Sequence, residues 1–379
     1  MDPRFSRAYG ALAGLALGDA LGMPTQAMSP QQIQMVYGQV TGLVDGDKSQ
    51  PYAPGMAAGS VTDDTEQALL IASLLLKGHG SGLNLDASEF SQALLAWEDS
   101  MIERGSLDLL GPSTKAALER VRAGENPLRV GGEGTTNGAA MRVTPIGIAA
   151  STSDRQLFAD AVWSSCQVTH ATRQGFQSAA LVAAAVSLGI DAGAADVTDL
   201  LWKAVAFVRS LPERGAWSPE PDVVAATHRA LKLAAQPASS PQWLAGQIGT
   251  SVASAQAIPM AFALLARDPS PRALLQAANL GGDTDTIGAI AGAILGASLG
   301  VEVFDAYGLA QVEQVSQLDL PSVATDLLAL RDREGGGAAP AAATTSPNPE
   351  KPALTPAASP QKGAPAGRVV LMGQILVDL

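Results

Sequence analysis

The stretch "LGGDTDTIGAIAGAILGA", Leu280 to Ala297, places two aspartates and two threonines directly before a segment apolar enough to be buried. A second stretch, "GSVTDDTEQALLIASLLL" at residues 59–76, repeats this arrangement before an amphipathic helical pattern. Burying a charge is costly unless the charge is paired or binds a metal. For either cluster alone, helix capping and the helix dipole are a sufficient explanation.

The presence of two such clusters favours a metal site. Capping uses one or two oxygens, whereas each cluster carries two carboxylates and two hydroxyls. If the two helices pack side by side, up to four carboxylates converge, and they repel one another unless a cation lies between them. Ligands that are all oxygen suit Mg²⁺, Mn²⁺ or Ca²⁺ rather than Zn²⁺, and four carboxylates can bridge two ions about 3.5–4 Å apart. The spacing alone leaves open whether the clusters meet.

Composition excludes several classes of protein. The chain has 379 residues, 47% of them hydrophobic, which is enough for a sizeable core. Its net charge of −12 disfavours nucleic-acid binding, although a local pocket for a phosphorylated small molecule is compatible with it. Cys166 is the only cysteine, so there is no internal disulfide and no thiolate metal cluster. Without a recognisable signal peptide or membrane span, the chain is expected to be cytoplasmic.

Helical periodicity dominates the chain, and no convincing series of alternating strands precedes residue 368. Two segments place their apolar residues on one helical face, and two others begin with a capping-box pattern. Because Ala and Gly are abundant, we expect a compact all-α domain, an orthogonal helical bundle around the metal site, whose centre consists of Ala and Gly contacts. The apolar faces are Phe90, Leu94, Trp97 and Met101, and residues 197–211; the capping boxes are Asp86 with Glu89, and Ser153 with Gln156.

Five segments in this order resemble the ADP-ribosylglycohydrolases, a family that includes the enzyme removing ADP-ribose from dinitrogenase reductase. The resemblance covers roughly residues 5–330. Any one segment is weak, but the five together make a strong match. They are "GALAGLALGDALG" (10–22), "VTDDTEQAL" (61–69), "TNGAAMRVTPIGI" (136–148), "VTHAT" (168–172) and "GGDTDTIGAIAGAILGA" (281–297).

This resemblance implies an all-α fold around two Mg²⁺ ions, or Mn²⁺ in their place. One ion would be bound by Thr62, Asp63 and Asp64. The other would be bound by Asp283, Asp285 and Thr286, with Asp285 shared between the ions. Asp63, Asp64 and Asp285 are the candidate catalytic carboxylates, and Asp19 is expected to lie beside the site without binding metal.

The expected substrate pocket includes the glycine-rich segment from Arg129 to Ile148, which runs into a helical pattern. Free backbone N–H groups at such a junction can cradle phosphate, although the segment is neither a Walker loop nor a GxGxxG fingerprint. By resemblance, Asn137 and Gly138 lie against the diphosphate or ribose of ADP-ribose. His170 matches a family position that lines the cleft, and a structural role for this histidine stays open.

The implied reaction is hydrolysis of an N- or O-glycosidic bond at the ribose anomeric carbon, through an oxocarbenium-like transition state. The substrate would be an ADP-ribosylated protein or an ADP-ribosyl or nucleoside-type metabolite. Many family members carry glutamate where this chain has Gln26, and an amide cannot accept the proton. Three explanations stay open: the other carboxylates suffice, the substrate differs, or the chain is a catalytically weak, metal-dependent binding or structural protein, like the crystallins of this family.

The end of the chain differs in composition from the rest. Residues 1–334 are read as the hydrolase-like domain, and the Pro/Ala/Gly-rich residues 335–367 as a flexible linker. Residues 368–379, "RVVLMGQILVDL", are strand-like and resemble the start of ribokinase-like (pfkB) sugar kinases. They are either the first strand of a further domain or a short tail that packs on the helices. The first alternative predicts a fused or neighbouring sugar or nucleoside kinase as a partner.

Overall fold

The computed structural model describes residues 2–335, except 79–81, 107–109 and 194–195. The predicted linker, apart from its first residue Gly335 at the end of the last helix, and the predicted terminal strand therefore lie outside the described residues. Within these ranges the chain forms α-helices, three short 3-10 helices (Met23–Thr25, Pro127–Arg129 and Val301–Val303) and no strands, so the prediction of an all-α fold is confirmed. The α-helices are α1 (Pro3–Gly22), α2 (Pro30–Val36), α3 (Asp63–Lys77), α4 (Ala87–Glu103), α5 (Pro112–Arg122), α6 (Gly138–Met141), α7 (Thr144–Ala149), α8 (Arg155–Cys166), α9 (Arg173–Ala192), α10 (Val197–Arg209), α11 (Val223–Ala234), α12 (Pro241–Ile248), α13 (Ser254–Arg267), α14 (Arg272–Ala278), α15 (Thr284–Leu299), α16 (Ala306–Val315) and α17 (Leu320–Gly335).

The centre of the fold is an antiparallel pair of helices, α1 and α15, whose backbones touch. Glycines recur at every fourth position on both helices and face one another as Gly10 with Gly296, Gly14 with Gly292, and Gly18 with Gly288. A Cβ atom added to Gly288 would lie 2.5 Å from the carbonyl oxygen of Gly18, closer than real Cβ atoms come. Only glycine permits this approach, which confirms the prediction of a centre formed by small residues.

The predicted apolar faces are buried, including Phe90, Leu94, Trp97 and Met101 on α4 and the corresponding face of α10. Of the helices in the described ranges, α9 alone has the length and hydropathy of a candidate membrane span, and 78% of its apolar window is buried inside the fold. This burial is typical of the core helix of a globular domain.

One predicted cap is present and the other is displaced. The Asp86 side chain accepts a hydrogen bond from the backbone N–H of Glu89 at the start of α4. The Ser153 capping box is wrong, because Asp154 is the N-cap of α8 and accepts from the N–H groups of Gln156 and Leu157. Asp and Ser are favoured about equally as N-caps, so the sequence did not decide which of these two adjacent residues begins the helix.

Candidate functional site

The first acidic cluster begins α3 and is anchored by Asp19, which projects from α1. Thr62 is the N-cap residue of α3, yet its hydroxyl makes no bond to the helix. The fully buried carboxylate of Asp19 replaces it, accepting from the N–H groups of Thr62 at 3.0 Å and Thr65 at 3.2 Å. Both threonine hydroxyls also donate to Asp19, at 2.7 and 2.5 Å. Asp19 therefore links α1 to α3, and the lone pairs of the Thr62 hydroxyl stay available to a cation.

The second cluster begins α15 and meets the first one, as the metal hypothesis requires. The hydroxyl of Thr286 donates to Oδ2 of Asp64 at 3.3 Å, joining the two helix starts directly. A Cβ atom added to Gly22, at the end of α1, would overlap the backbone of Asp285. The same close packing therefore fixes the position of α15 along the axis of α1. The start of α15 is thus held against that of α3.

Repulsion between carboxylates dominates the electrostatics of this region. Burial raises the pKa of Asp64 well above its usual value, and the charges of Asp285, Asp19, Asp63 and Asp283 raise it further. Burial also raises the pKa of Asp283 to about 6, although the hydrogen bond from Asn137 opposes this shift. Like charges held this close are stabilised either by protons or by cations.

Asp63 from the first cluster and Asp283, Asp285 and Thr286 from the second line the floor of a cleft of about 490 Å³, whereas Thr62 and Asp64 are buried and do not line it. This volume lies in the range of small-molecule sites. The walls come from the α1–α2 connection, the start of α5, α6 and the segment preceding α13. The residues that line the cleft include Gln26, Tyr52, Asp63, Lys115, Thr136, Asn137, Gly138, Asp283, Asp285 and Thr286.

The Asp63 carboxylate is held by a buried polar network that the sequence analysis missed. Gln67, one turn further along α3, donates to Oδ2 of Asp63 at 3.0 Å and accepts from Arg142 at 2.9 Å. The fully buried guanidinium of Arg142 also donates to the Thr169 hydroxyl at 2.6 Å and lies over the ring of Phe90. Burial lowers the pKa of Arg142 to about 10, which leaves it charged at neutral pH.

The network continues through His170 to the opposite wall of the cleft. Nδ1 of His170 lies 2.8 Å from the Thr169 hydroxyl, and Nε2 lies 3.0 Å from the hydroxyl of Thr136. His170 is fully buried behind Thr136 and is not among the residues that line the cleft, so the structure places it one step behind the predicted contact surface. Burial, followed by the charge of Arg142, lowers the pKa of His170 well below its usual value, and the ring is neutral.

Asn137 and Gly138 do line the cleft, at the start of α6. The amide of Asn137 donates to Oδ2 of Asp283, and its backbone N–H donates to Val252 at 2.9 Å. Two glycines of the preceding loop, Gly131 and Gly134, pack against the backbone of residues 167–170, where a Cβ atom would clash. These two glycines serve close packing, and neither lines the cleft.

Gln26 lines the cleft beside Ala27, just beyond the end of α1. Its backbone carbonyl accepts a hydrogen bond from Gln50 at 3.1 Å, which fixes the chain at this point. Its side chain is buried, and in the described part of the chain Nε2 has no hydrogen-bond partner. A buried amide without a partner is costly, so this group is suited to a ligand in the cleft.

The donor set fits hard divalent cations. Asp63, Asp64, Asp283 and Asp285 contribute carboxylate oxygens, Thr62 and Thr286 contribute hydroxyls, and Oδ1 of Asp64 is buried without a hydrogen-bond partner in the described ranges. In those same ranges no group of three His, Cys, Asp or Glu side chains is arranged to hold a metal ion by itself. Cations would therefore be shared between the two helix starts, with threonine oxygens or water completing the coordination.

Comparison with known proteins identifies the family of the chain. A sequence model of the ADP-ribosylglycohydrolase family matches residues 1–337. The uncharacterized protein YegU of Escherichia coli (strain K12) is 32% identical, over 86% of this chain and 98% of YegU. The ADP-ribosylhydrolase ARH3 of Bos taurus is 30% identical, over 78% of this chain and 86% of ARH3. A solved chain described as an ADP-ribosylglycohydrolase-related protein complex shares the fold, with a TM-score of 0.65 at 24% identity, covering 87% of this chain and all of that one. The chain therefore belongs to the ADP-ribosylglycohydrolase family and is a hydrolase of the glycosidase type.

Proposed function

We propose that this hydrolase cleaves the glycosidic bond at the ribose anomeric carbon of ADP-ribosylated substrates, and that it requires two Mg²⁺ or Mn²⁺ ions. The observation that carries this proposal is the convergence of two acidic helix starts at the floor of one cleft, where Thr286 of α15 bonds to Asp64 of α3. The relationship to ARH3, an ADP-ribosylhydrolase by name, supports ADP-ribose as the substrate group.

Six side chains would hold the ions: Thr62, Asp63, Asp64, Asp283, Asp285 and Thr286. When bound, the ions supply positive charge that orients the ribose hydroxyls and polarises a water molecule. Asp19 and Gln67 fix the ligands from behind, because Asp19 holds the Thr62 hydroxyl and Gln67 holds Oδ2 of Asp63. This support keeps the ligands in one geometry before substrate arrives.

The distribution of charge in the cleft orients the substrate. Carboxylates line its floor, whereas Lys115 on α5 is the one cationic side chain among the lining residues that the structure describes. A diphosphate is repelled by the floor and attracted to Lys115, which leaves the distal ribose to face Asp63, Asp283 and Asp285. The exposed ring of Tyr52 lies at the same cleft and offers an apolar surface to a base.

We assign the role of general base to Asp63. It lines the cleft, and its carboxylate is oriented through Gln67 and the buried Arg142. A carboxylate held in this way can accept the proton of the attacking water as the bond to the anomeric carbon breaks. Gln26 can hold a substrate hydroxyl or carbonyl through its amide but cannot accept a proton.

The proposal is tested by incubating the full chain with arginine- and serine-linked ADP-ribosyl peptides, O-acetyl-ADP-ribose and a panel of nucleosides. Each incubation is carried out with Mg²⁺ and with a chelator, and released ADP-ribose or another ribosyl product is measured by chromatography. We expect release of ADP-ribose from at least one conjugate, only with the cation present.

The matched variants are Asp63→Asn and Asp326→Asn. Asp326 is an exposed acid on α17, so its loss changes the net charge equally without touching the cleft. Asp63→Asn is expected to abolish turnover and Asp326→Asn to leave it unchanged. Release that persists after chelation would contradict the requirement for metal, and turnover of nucleosides alone would contradict ADP-ribose as the substrate.

A further inference from the structure

A second cavity, of about 480 Å³, lies away from the catalytic cleft and shares no lining residue with it. Its walls are the first turn of α9, the end of α10, residues 211–214 and one face of α11. Phe176, Val208 and Val224 give it an apolar floor, because all three side chains are buried. Its volume matches that of a small organic ligand. We call it the arginine cavity, after Arg173, Arg209 and Arg214, which line it.

Two of these arginines donate no hydrogen bond to an acid in the described ranges. Arg214 is fixed, since it forms a 2.6 Å ion pair with Asp160 and lies over the Phe176 ring. Arg173 reaches acids only at 3.9 and 4.0 Å, beyond hydrogen-bond distance, and its Nε is buried with no partner in the described ranges. Arg209 is exposed at the end of α10, and the described residues provide it with no ion pair. Uncommitted guanidinium groups beside an apolar floor are suited to an oxyanion.

The two carboxylates that line this cavity lie at ion-pair distance from Arg173, but neither accepts a hydrogen bond from it. Asp222 caps α11 by accepting from the N–H of Ala225 at 2.8 Å, and it also accepts from Gln177 at 2.8 Å. Glu213 is 85% exposed and lines the cavity. The three arginines are matched in number by Glu213, Asp222 and Asp160, so anion binding would rest on the N–H groups of Arg173 and Arg209 that, among the described residues, make no hydrogen bond to an acid.

We propose that the arginine cavity binds a small organic phosphate, with the phosphoryl group between Arg173 and Arg209 and an apolar or aromatic body on the floor formed by Phe176. A phosphate monoester suits the site better than a carboxylate, because a dianion with three terminal oxygens can accept from two guanidinium forks at once. This binding is separate from catalysis and does not rest on the proposed activity.

The test is isothermal titration calorimetry of the full chain with phenyl phosphate, inorganic phosphate and benzoate. We expect saturable binding of one phenyl phosphate per chain. Inorganic phosphate, which has no aromatic ring to contact the apolar floor, should bind more weakly, and benzoate should bind most weakly. Arg209→Ala and Arg173→Gln should each raise the dissociation constant roughly tenfold or more, the effect of losing a charge-assisted hydrogen bond.

Two control variants separate this site from other causes. Arg229→Ala removes the same charge from an exposed position on α11 that does not line the cavity, and Lys115→Ala removes the cationic side chain of the catalytic cleft. Both should bind phenyl phosphate as the native chain does. Equal loss in Arg229→Ala, loss only in Lys115→Ala, or unchanged binding in both arginine-cavity variants would overturn the proposal, and so would tighter binding of benzoate than of phenyl phosphate.

Discussion

The contact between α1 and α15 predicts that adding one methyl group to the centre of the fold lowers its stability. In Gly288→Ala the new Cβ would lie 2.5 Å from the carbonyl oxygen of Gly18, whereas ordinary contacts begin near 3.4 Å. The two backbones must therefore separate by close to 1 Å, and overpacking of this kind costs about 1–3 kcal/mol. Because alanine is favoured over glycine in a helix by about 1 kcal/mol, the net loss is smaller than the clash itself.

Gly246→Ala isolates the clash from the helical preference. Gly246 lies in α12, is exposed, and has open space where its Cβ would be. This variant should gain roughly 0.5–1 kcal/mol, so the two variants should differ by about the cost of the clash, 1–3 kcal/mol. The assay is urea unfolding monitored by far-UV circular dichroism. The urea midpoints of the variants are compared, provided that the unfolding free energy depends on urea concentration with the same slope in each. Equal stability of Gly288→Ala and Gly246→Ala would refute the close approach of the helices.

Two further predictions concern the cleft and its supporting network. Gln26→Glu, which introduces a carboxylate at the cleft, should leave metal binding intact and raise the rate of hydrolysis of ADP-ribosyl peptides. If no such substrate is hydrolysed faster, Gln26 does not stand in for the glutamate that many family members carry at this position. The second concerns pH. His170 has a depressed pKa in the fold, so below about pH 6.5 the unfolded chain binds a proton that the native chain does not. The stability contributed by neutral His170 is therefore present above about pH 6.5 and is lost as the pH falls below it. Between pH 7 and 5.5, the unfolding free energy of His170→Gln should change less steeply with pH than that of the native chain, by up to about 1.4 kcal/mol per pH unit. The same pH dependence in both proteins would contradict a neutral, buried ring.

Much of the fold was predictable because its signals are local. Helical periodicity correctly placed the buried face of α4, and the acidic clusters mark the starts of α3 and α15. The pairing of α1 with α15 was not predicted in detail, although the sequence contains its signal: both motifs repeat glycine at every fourth residue. Such a repeat shows that a helix approaches another backbone closely, but it does not name the partner.

The buried support of the site was harder to predict, since it depends on long-range contacts. Gln67 lies four residues after Asp63, a spacing that places both on one helix face. Arg142 is a single charge within an apolar segment, and nothing in its local sequence indicates that it bonds to Gln67 and Thr169. The sequence also could not decide whether His170 contacts substrate or is structural, because only the fold shows that Thr136 lies between the His170 ring and the cleft.

The most direct test of the central claim is the number of Mn²⁺ ions bound per folded chain, measured by calorimetry on the native protein and on Asp285→Asn and Asp326→Asn, with helicity checked by circular dichroism. We predict two ions for the native chain and for Asp326→Asn, and at most one for Asp285→Asn. A native chain that binds none, or a folded Asp285→Asn that retains both, would contradict the claim that the two acidic helix starts jointly hold the metal centre.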